Sequence, residues 1–159
     1  MMLTAEDRAE IEQVIAAYGH VVDDNAWGSA HLVFAEDFVF DFSQFDRPNL
    51  NGVAELRAAL KGRKVYSHHS TNVAIFEDED GVVRVRSKFI GFPIEGAPIS
   101  GDYRDEFVKT ARGWRLARRR SSVRDPGASP HHGTTPGTLV ARLPSVSSTP
   151  LGRPLVPDV

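Results

Sequence analysis

Cysteine is absent from the chain, so a disulfide framework, a thiolate metal centre and a cysteine nucleophile are all excluded. Long hydrophobic runs are also missing: no apolar stretch approaches the roughly 18 residues of a membrane span, and the first residues lack the pattern of a signal peptide. An excess of one charge is absent as well, because the formal net charge is −2, whereas nucleic-acid-binding domains carry a strongly basic face. We therefore expect a cytoplasmic protein that binds neither nucleic acid nor a membrane.

The composition that remains is typical of one folded domain. The chain has 159 residues, of which 41% are hydrophobic and 25% are charged, an ordinary balance for a globular protein. Large apolar side chains concentrate in residues 1–124, whereas residues 125–159 are rich in proline, serine, threonine and glycine. We expect a single domain with a hydrophobic core at 1–124, followed by a surface-draped or mobile tail at 125–159.

Helical periodicity marks the first part of the chain. Thr4 is a suitable N-cap, and apolar residues recur every three or four positions after it, which predicts a helix at about 5–22. The other elements predicted before residue 65 are short helices at 26–34 and 53–60, a strand at 38–42 and a loop at 47–52.

Alternation of apolar and polar residues replaces the helical period from residue 65 onward. It predicts four strands, at about 65–77, 82–92, 99–110 and 113–124. Helices followed by a meander of strands indicate the α+β class. We expect a curved antiparallel sheet wrapped around the N-terminal helices, with a concavity between them that can hold a small ligand.

Three clusters of side chains in this layout could carry chemistry. One lies near the end of the first predicted helix and contains Tyr18 and Asp23; the second is His68 and His69 on a strand; the third is the arginine run at 118–120. An imidazole can act as a general acid or base near neutral pH, a carboxylate can orient it, and a tyrosine hydroxyl can donate to a developing oxyanion. These are the components of an elimination or enolisation site.

An ordered set of motifs runs through the same part of the chain. It consists of Tyr18-x4-Asp23-x3-Trp27, Phe34-Ala35-Glu36-Asp37, His68-His69-Ser70-Thr71-Asn72 and Gly113-Trp114-Arg115-Leu116-Ala117-x-Arg119. Over residues 4–124 this set resembles the SnoaL-like (nuclear transport factor 2-like) superfamily, in the branch of scytalone dehydratase, lindane dehydrochlorinase and bile-acid 7α-dehydratase. The resemblance implies a cone-shaped α+β barrel that associates as a homodimer or homotrimer, and the lyases of this family use a histidine–aspartate dyad.

The resemblance also implies roles for particular residues. Asp23 takes the place of the dyad aspartate, because it precedes Trp27 by four positions, and His68 takes the place of the dyad histidine, because it precedes Asn72 by four. Tyr18 matches a pocket tyrosine. The implied protein is a cofactor-independent, dehydratase-like lyase for a small hydrophobic cyclic molecule, in which His68 is the general base, Asp23 orients it and Tyr18 polarises the substrate. We expect no cofactor and no metal.

Other positions match or depart from the family pattern. Arg119 matches an arginine on the last strand of the family, and together with Trp27, Phe42 and Phe89 it is a candidate for substrate binding. Phe42 aligns with a second pocket tyrosine of the dehydratases but has no hydroxyl, and the strand at 87–93 lacks their second acid or histidine. Dehydration needs a proton donor for the departing hydroxide, so these departures count against a dehydratase while leaving the dyad intact.

Several assignments stay open at this level. Asp24 could replace Asp23 in the dyad. Strand alternation turns either His68 or His69 toward the pocket, so His69 is a further candidate for substrate binding. Within the arginine run, either Arg119 or its two neighbours face inward, where a guanidinium would suit an anionic or enolate oxygen.

Two further functions fit the same residues. An isomerase or polyketide cyclase would use a carboxylate on the strand after the second helix as its base, for which Asp41 is the candidate, with Tyr18 as the oxyanion donor. A non-catalytic member of the superfamily would bind a small ligand without changing it. The contact between His68 and Asp23 would then be a structural hydrogen bond.

Overall fold

The computed structural model describes residues 3–43, 46–62, 65–78 and 82–124. Helix α1 spans Ala5–Asp23 and α2 spans Gly52–Leu60, with a 3₁₀ helix at Trp27–Leu32. The strands are β1 (Phe34–Asp41), β2 (Leu50–Asn51), β3 (Val65–Glu77), β4 (Val83–Pro93), β5 (Ile99–Thr110) and β6 (Gly113–Val123). The predicted tail at 125–159 lies outside the described residues. Neither α-helix of this part of the chain has the length and apolar character needed to cross a membrane.

The strands form one curved, open sheet in the order β2-β1-β6-β5-β4-β3. Helix α1 packs on its inner face, against β3 and β6, and this arrangement confirms the predicted α+β class. Strands β3 to β6 form the predicted antiparallel meander, but β1 runs parallel to β6. The sheet is therefore not antiparallel throughout, because the long connection from β1 through α2 and the meander allows a parallel pair.

Two segments differ from their predicted structure. The predicted helix at 26–34 is a six-residue 3₁₀ helix, and β1 begins at Phe34 rather than at residue 38. Phe34 and Phe38 are both buried, with ring centres 4.7 Å apart, so the packing of this aromatic pair outweighs the local helical pattern. Part of the predicted loop at 47–52 also differs, because Leu50–Asn51 pairs with β1 as β2.

Helix α1 sets the position of the site. Its N-terminus is a capping box in which the side chains of Thr4 and Asp7 each bind the other's backbone amide. Asp7 also accepts hydrogen bonds from Trp114 (2.8 Å) and Lys109 (2.7 Å) on the sheet. The apolar face predicted from periodicity is buried and consists of Ile11, Val14, Ile15, Tyr18, Val21 and Val22. The helix ends at Asp23 and so holds both Tyr18 and Asp23 against the inner face of the sheet.

Candidate active site

A cavity of about 250 Å³ opens between α1, α2 and the inner face of the sheet. This volume lies just below the roughly 300–1,000 Å³ that is usual for drug-sized ligands, so the cavity fits a small molecule. Most of its wall is aromatic or aliphatic. The described residues that line it are Tyr18, Phe40, Phe42, Arg47, Leu50, Leu56, Ala59, Leu60, His68, Phe89, Ile99, Tyr103, Ser121 and Val123.

The structure brings His68 and Asp23 together at this cavity. Nδ1 of His68 lies 2.5 Å from Oδ1 of Asp23, and Oδ2 of the same carboxylate accepts a 2.6 Å hydrogen bond from the backbone amide of His68. Both side chains are largely shielded, with 17% and 14% of their surface exposed. The carboxylate therefore holds the imidazole through its ring and through its backbone at the same time.

This contact also decides which ring nitrogen of His68 is free. An ionised carboxylate can only accept, so Nδ1 carries a hydrogen and donates it to Asp23. In the neutral form of the ring, Nε2 then has a lone pair. Because the His68 side chain lines the cavity, Nε2 is the nitrogen available to a bound molecule. A histidine held in this way has the arrangement of a general base.

Gly19 permits the close approach of α1 and β3 that the contact needs. A Cβ atom built on Gly19 would lie 3.0 Å from the carbonyl oxygen of His68 and 3.9 Å from Oδ2 of Asp23. A glycine inside a helix costs about 1 kcal/mol relative to alanine, and this packing explains its presence one turn before Asp23. An isolated glycine in a strongly helical segment is a sequence signal for such a contact, but Gly19 was not predicted from it.

Two tyrosine rings line the same cavity as His68. Tyr18 on α1 and Tyr103 on β5 are each 3% exposed, and both line the cavity. The ring centre of Tyr18 lies 6.0 Å from that of Tyr103 and 6.5 Å from that of His68, in both cases edge-on. Tyr103 was not predicted as a site residue. The available signal was alternation along the strand at 99–110, which places Tyr103 on the same buried face as Asp105.

The surroundings keep both hydroxyls protonated. Burial raises the pKa of Tyr18 above its ordinary value, and the nearby guanidinium of Arg119 offsets this only in part. Burial likewise raises the pKa of Tyr103 well above its ordinary value, with Tyr18 as the next cause. Neutral hydroxyls can donate hydrogen bonds, so the pair can hold an oxygen that gains negative charge.

Arg119 lies behind the tyrosines and not in the cavity wall, contrary to its predicted role in substrate binding. Its guanidinium stacks between the two rings, 4.0 Å from the centre of Tyr18 and 3.9 Å from that of Tyr103. It forms hydrogen bonds of 2.8 and 2.6 Å with Asp105, and both side chains are fully buried. Burial alone would lower the pKa of Arg119, but Asp105 outweighs this and the pKa is raised. Arg119 thus already has its counterion and supports the tyrosines instead of a ligand.

Asp41 was the predicted base of the alternative isomerase or cyclase, but it points to the opposite face of β1 from Phe40, which lines the cavity. Its buried carboxylate accepts 2.7 Å hydrogen bonds from Arg118 and Arg120. Burial alone would raise the pKa of Asp41, but hydrogen bonds from Ser43 and the two arginines outweigh it and lower the pKa. The prediction of Asp41 as a catalytic base is therefore wrong, because the group is a weak base on the wrong side of the sheet.

His69 and Trp27 also lie outside the cavity wall formed by the described residues, so the structure does not show their predicted contacts with substrate. His69 turns away from His68; its Nε2 lies 2.6 Å from the Ser67 hydroxyl, and its ring packs against Phe92. Trp27 is partly buried and packs against the hydrophobic core. Strand alternation explains why His69 faces away from the cavity. Trp27 is the first residue of the short 3₁₀ helix and packs against the core instead of the cavity.

The structure places Phe42 and Phe89 in the cavity wall. Phe42 stacks on Phe40, and Phe89 stacks on Tyr103, with a separation of 4.6 Å between ring centres in each pair. Two stacked aromatic pairs therefore contribute flat surfaces to the cavity. Asp24, the alternative to Asp23, has a side chain that is 72% exposed and does not contact His68.

Known structures share this architecture. A protein from Novosphingobium aromaticivorans, provisionally assigned as an aromatic ring hydroxylase, is 26% identical, with a TM-score of 0.62 over 79% of this chain and 94% of that one. A protein of unknown function with a cystatin-like fold, from Nostoc punctiforme, is 25% identical, with a TM-score of 0.64 over 80% and 97%. A provisionally assigned scytalone dehydratase from N. aromaticivorans is 20% identical, with a TM-score of 0.58 over 80% and 94%. The comparison with curated proteins gave no match.

Fold and cavity together define an α+β protein of the cystatin-like class, with a small pocket between its helices and the inner face of the sheet. The sequence pattern of the SnoaL-like domain matches residues 3–120. The chain belongs to the SnoaL-like domain family, and the membership predicted from the ordered motifs is confirmed. Membership fixes the architecture but leaves the reaction to the residues of the pocket, since one fold supports many chemistries.

Proposed function

We propose that the protein is a dehydratase-like lyase that acts on a small hydrophobic cyclic molecule without a cofactor. The observation that carries the proposal is the pair of His68 and Asp23, which leaves one imidazole nitrogen free at a cavity that also holds two tyrosines. The two neighbours from N. aromaticivorans bear the names of different reactions, a hydroxylase and a dehydratase. The choice between such reactions therefore rests on the residues of the cavity.

His68 removes a proton in the first step. Its Nε2 takes a hydrogen from a carbon next to a carbonyl group, while Asp23 holds the ring and stabilises the imidazolium that forms. The electron pair of the broken C–H bond forms a C=C bond to the carbonyl carbon and moves the carbonyl electrons onto oxygen. The product of this step is an enolate.

The tyrosines hold the enolate oxygen, and they include a second pocket hydroxyl that the family pattern did not predict for this chain. Tyr18 and Tyr103 are neutral donors in a shielded site, where hydrogen bonds to a developing charge are most effective. Phe42 has no hydroxyl at the position where the dehydratases have their second tyrosine. Tyr103 brings a second hydroxyl to the cavity from a different strand, and so compensates for that departure.

Loss of water completes the reaction. The enolate re-forms the carbonyl and expels hydroxide from the next carbon, so a C–O bond breaks as a C=C bond forms. The proton on Nε2 of His68 passes to the departing hydroxide, which leaves as water, and the imidazole returns to its starting state. One hydrogen and one hydroxyl group leave the substrate, so the step needs no oxidant or reductant.

The wall of the cavity supports a cyclic, partly unsaturated substrate. The stacked rings of Phe42 and Phe89 with their partners offer flat apolar surfaces, and Leu56 and Leu60 add aliphatic contacts from α2. Aromatic rings favour offset or edge-on contact with other flat rings. A small bicyclic ketone is therefore a suitable probe.

The test uses 3-hydroxy-1-tetralone, which loses water to give 1-naphthol, followed by ultraviolet absorbance. We expect the wild-type protein to accelerate this conversion and His68→Ala to slow it by about 10²–10⁴-fold, the usual contribution of a general base. His69→Ala is the matched control, because the neighbouring imidazole faces away from the cavity. It should keep the wild-type rate.

Deuterium exchange beside the carbonyl of 1-tetralone, followed by NMR, separates proton abstraction from water loss. Exchange that depends on His68, without dehydration of the hydroxylated ketone, would favour an isomerase that moves a proton with the same base. Binding of both ketones without exchange or water loss would contradict the enzyme proposal and leave a ligand-binding protein. Equal rates in His68→Ala and His69→Ala would exclude His68 as the base.

A further inference from the structure

Arg47 is the one residue of the described cavity wall that carries a permanent charge. It lies between β1 and β2, is exposed to solvent, and lines the rim of the cavity. Its guanidinium carbon lies 5.7 Å above the centre of the Phe42 ring, which is within the range of a cation–π contact. The charge therefore sits at the entrance of a mainly apolar hollow, next to one of its aromatic surfaces.

Arg47 has no counterion among the described residues, unlike five other arginines of that part of the chain. No carboxylate of that part of the chain, including adjacent Asp46, lies within ion-pair distance of it. Arginines that do have a carboxylate partner are Arg84, Arg118, Arg119, Arg120 and Arg124. A guanidinium can bind a carboxylate through two parallel hydrogen bonds, and at Arg47 this capacity is unused within the described chain.

Hydrogen bonds hold described residues on both sides of Arg47 in the sequence. The side chain of Asn49 accepts a 3.1 Å hydrogen bond from the backbone amide of Phe42, and Ser43 donates its amide to Asp41 at 2.9 Å. These contacts tie Ser43 and Asn49 to the end of β1, beside the cavity. The position of Arg47 over Phe42 thus follows from local structure.

The charges of the cavity favour an anion at this end. None of the described residues in its wall is acidic. Two nearby aspartates are set back from the wall, since Asp23 lies behind His68 and Asp105 lies behind the tyrosines. Arg47 also lies near the β2 edge of the sheet, whereas His68 lies on β3 at the other edge. A ligand anchored at Arg47 would extend over Phe42 toward His68.

We propose that the cavity selects a flat aromatic or partly aromatic molecule that carries a carboxylate, and that Arg47 binds this carboxylate and sets the orientation of the ring system. The identification of the far end as the reacting end rests on the proposed lyase function, but the preference for a carboxylate does not. Arg47 is accordingly a specificity-determining residue that acts before any proton is moved.

Two matched probes test this preference: 2-naphthoate, which carries a carboxylate, and 2-naphthamide, its neutral analogue of the same shape. Their dissociation constants are measured by isothermal titration calorimetry at pH 7 for wild type, Arg47→Gln and Arg112→Gln. Arg112 is the matched control, an exposed arginine in the turn between β5 and β6 that does not line the cavity. We expect wild type and Arg112→Gln to bind naphthoate at least about tenfold more tightly than naphthamide, as charged hydrogen bonds typically allow.

Arg47→Gln should bind both probes equally, with its affinity for naphthamide unchanged. In wild type the preference should shrink in high salt, because the guanidinium is exposed. Equal binding of the two probes by wild type, a preference that survives in Arg47→Gln, or failure of both probes to bind would each overturn the proposal. Failure of the lyase proposal would look different: turnover would be absent while the dependence of naphthoate binding on Arg47 persisted, also in His68→Ala.

Discussion

The three consecutive arginines of β6, at 118–120, have different partners because they face opposite sides of the sheet. Arg119 points inward, where Asp105 neutralises it and two tyrosine rings enclose it. Arg118 and Arg120 point outward, where both bind Asp41. On the inner face, two tyrosines and His68 still line the cavity. On the outer face, the carboxylate of Asp41 is itself occupied by the two arginines. Whether a polar group is available for chemistry thus depends on what its partners leave free, more than on its residue type.

The largest contrast should appear between Asp23, the partner of the proposed base His68, and Asp41, the predicted base of the alternative isomerase or cyclase. Asp23→Asn leaves one acceptor oxygen where His68 offers two donors, its ring and its backbone amide, so the tautomer is no longer fixed. We expect turnover of 3-hydroxy-1-tetralone to fall by about 10²–10⁴-fold. Asp41→Asn, on the outer face, should change turnover by no more than a few fold. A double variant of Asp23 and His68 should be little worse than either single variant, because the two act as a unit. Equal losses of turnover in Asp23→Asn and Asp41→Asn would contradict the assignment of catalysis to the inner face of the sheet.

A second contrast concerns stability. Asp105→Ala leaves the guanidinium of Arg119 buried without a counterion, and we expect it to lower the free energy of unfolding by about 3–5 kcal/mol. One guanidinium nitrogen of Arg119 already lacks a partner among the described residues. Arg118→Ala on the outer face removes a 41% exposed side chain, for which we expect a loss of about 0–1 kcal/mol.

Urea denaturation followed by circular dichroism measures both losses. The double variant Asp105→Leu with Arg119→Met serves as the control for the buried pair, since apolar replacement of both partners is often close to neutral. Recovery of stability in this double variant, together with reduced turnover, would show that the pair acts through the tyrosines. A double variant as unstable as Asp105→Ala would instead attribute the loss to packing.

A smaller effect should follow from separating α1 and β3. Gly19→Val places a branched side chain against the carbonyl of His68, and we expect turnover to fall by about 10²-fold, because small displacements of catalytic groups have losses of this size. Gly28→Ala is the matched control, since a Cβ atom there would meet nothing within 4 Å. The NMR signal of the Nδ1 hydrogen of His68 reports the dyad directly. Its persistence in an active Gly19→Val variant would contradict the role assigned to Gly19.

The smallest effect should be seen in acid. The pKa of Asp41 is lowered in the folded protein, because its hydrogen bonds outweigh burial, so its carboxylate stabilises the fold above the ordinary pKa of an aspartate. This contribution declines as the pH falls below about 4, toward the lowered value. Urea midpoints measured above and below this pH should therefore drop less in Asp41→Asn than in wild type. An identical drop would mean that Asp41 does not contribute to the acid sensitivity.

Much of the fold could be predicted from local pattern. Periodicity gave the buried face of α1, including Tyr18, and alternation gave β3 to β6 within a residue or two. These segments are long and strongly periodic, which is where pattern is most reliable. The start of β1 at Phe34 was missed, because its burial depends on pairing with β6, which is distant in sequence.

Only part of the candidate site could be predicted from the sequence. The spacing of Asp23 and His68 relative to the family motifs pointed to a pair that the structure indeed joins. Tyr103 and the enclosure of Arg119 were missed, because both depend on which side chains β5, β6 and α1 bring together. Alternation could assign Arg119 to a face opposite its neighbours, but not identify Asp105 as its partner.

The hydrogen bond that the backbone amide of His68 donates to Asp23 has a consequence for how the protein would lose activity on warming. β3 is an outermost strand of the sheet, and outermost strands fray before central ones. Fraying there breaks the link to the end of α1, so the imidazole loses its fixed tautomer while the rest of the sheet stays folded. The His68 amide should consequently exchange its hydrogen faster than amides in β5, and inactivation should set in below the melting temperature.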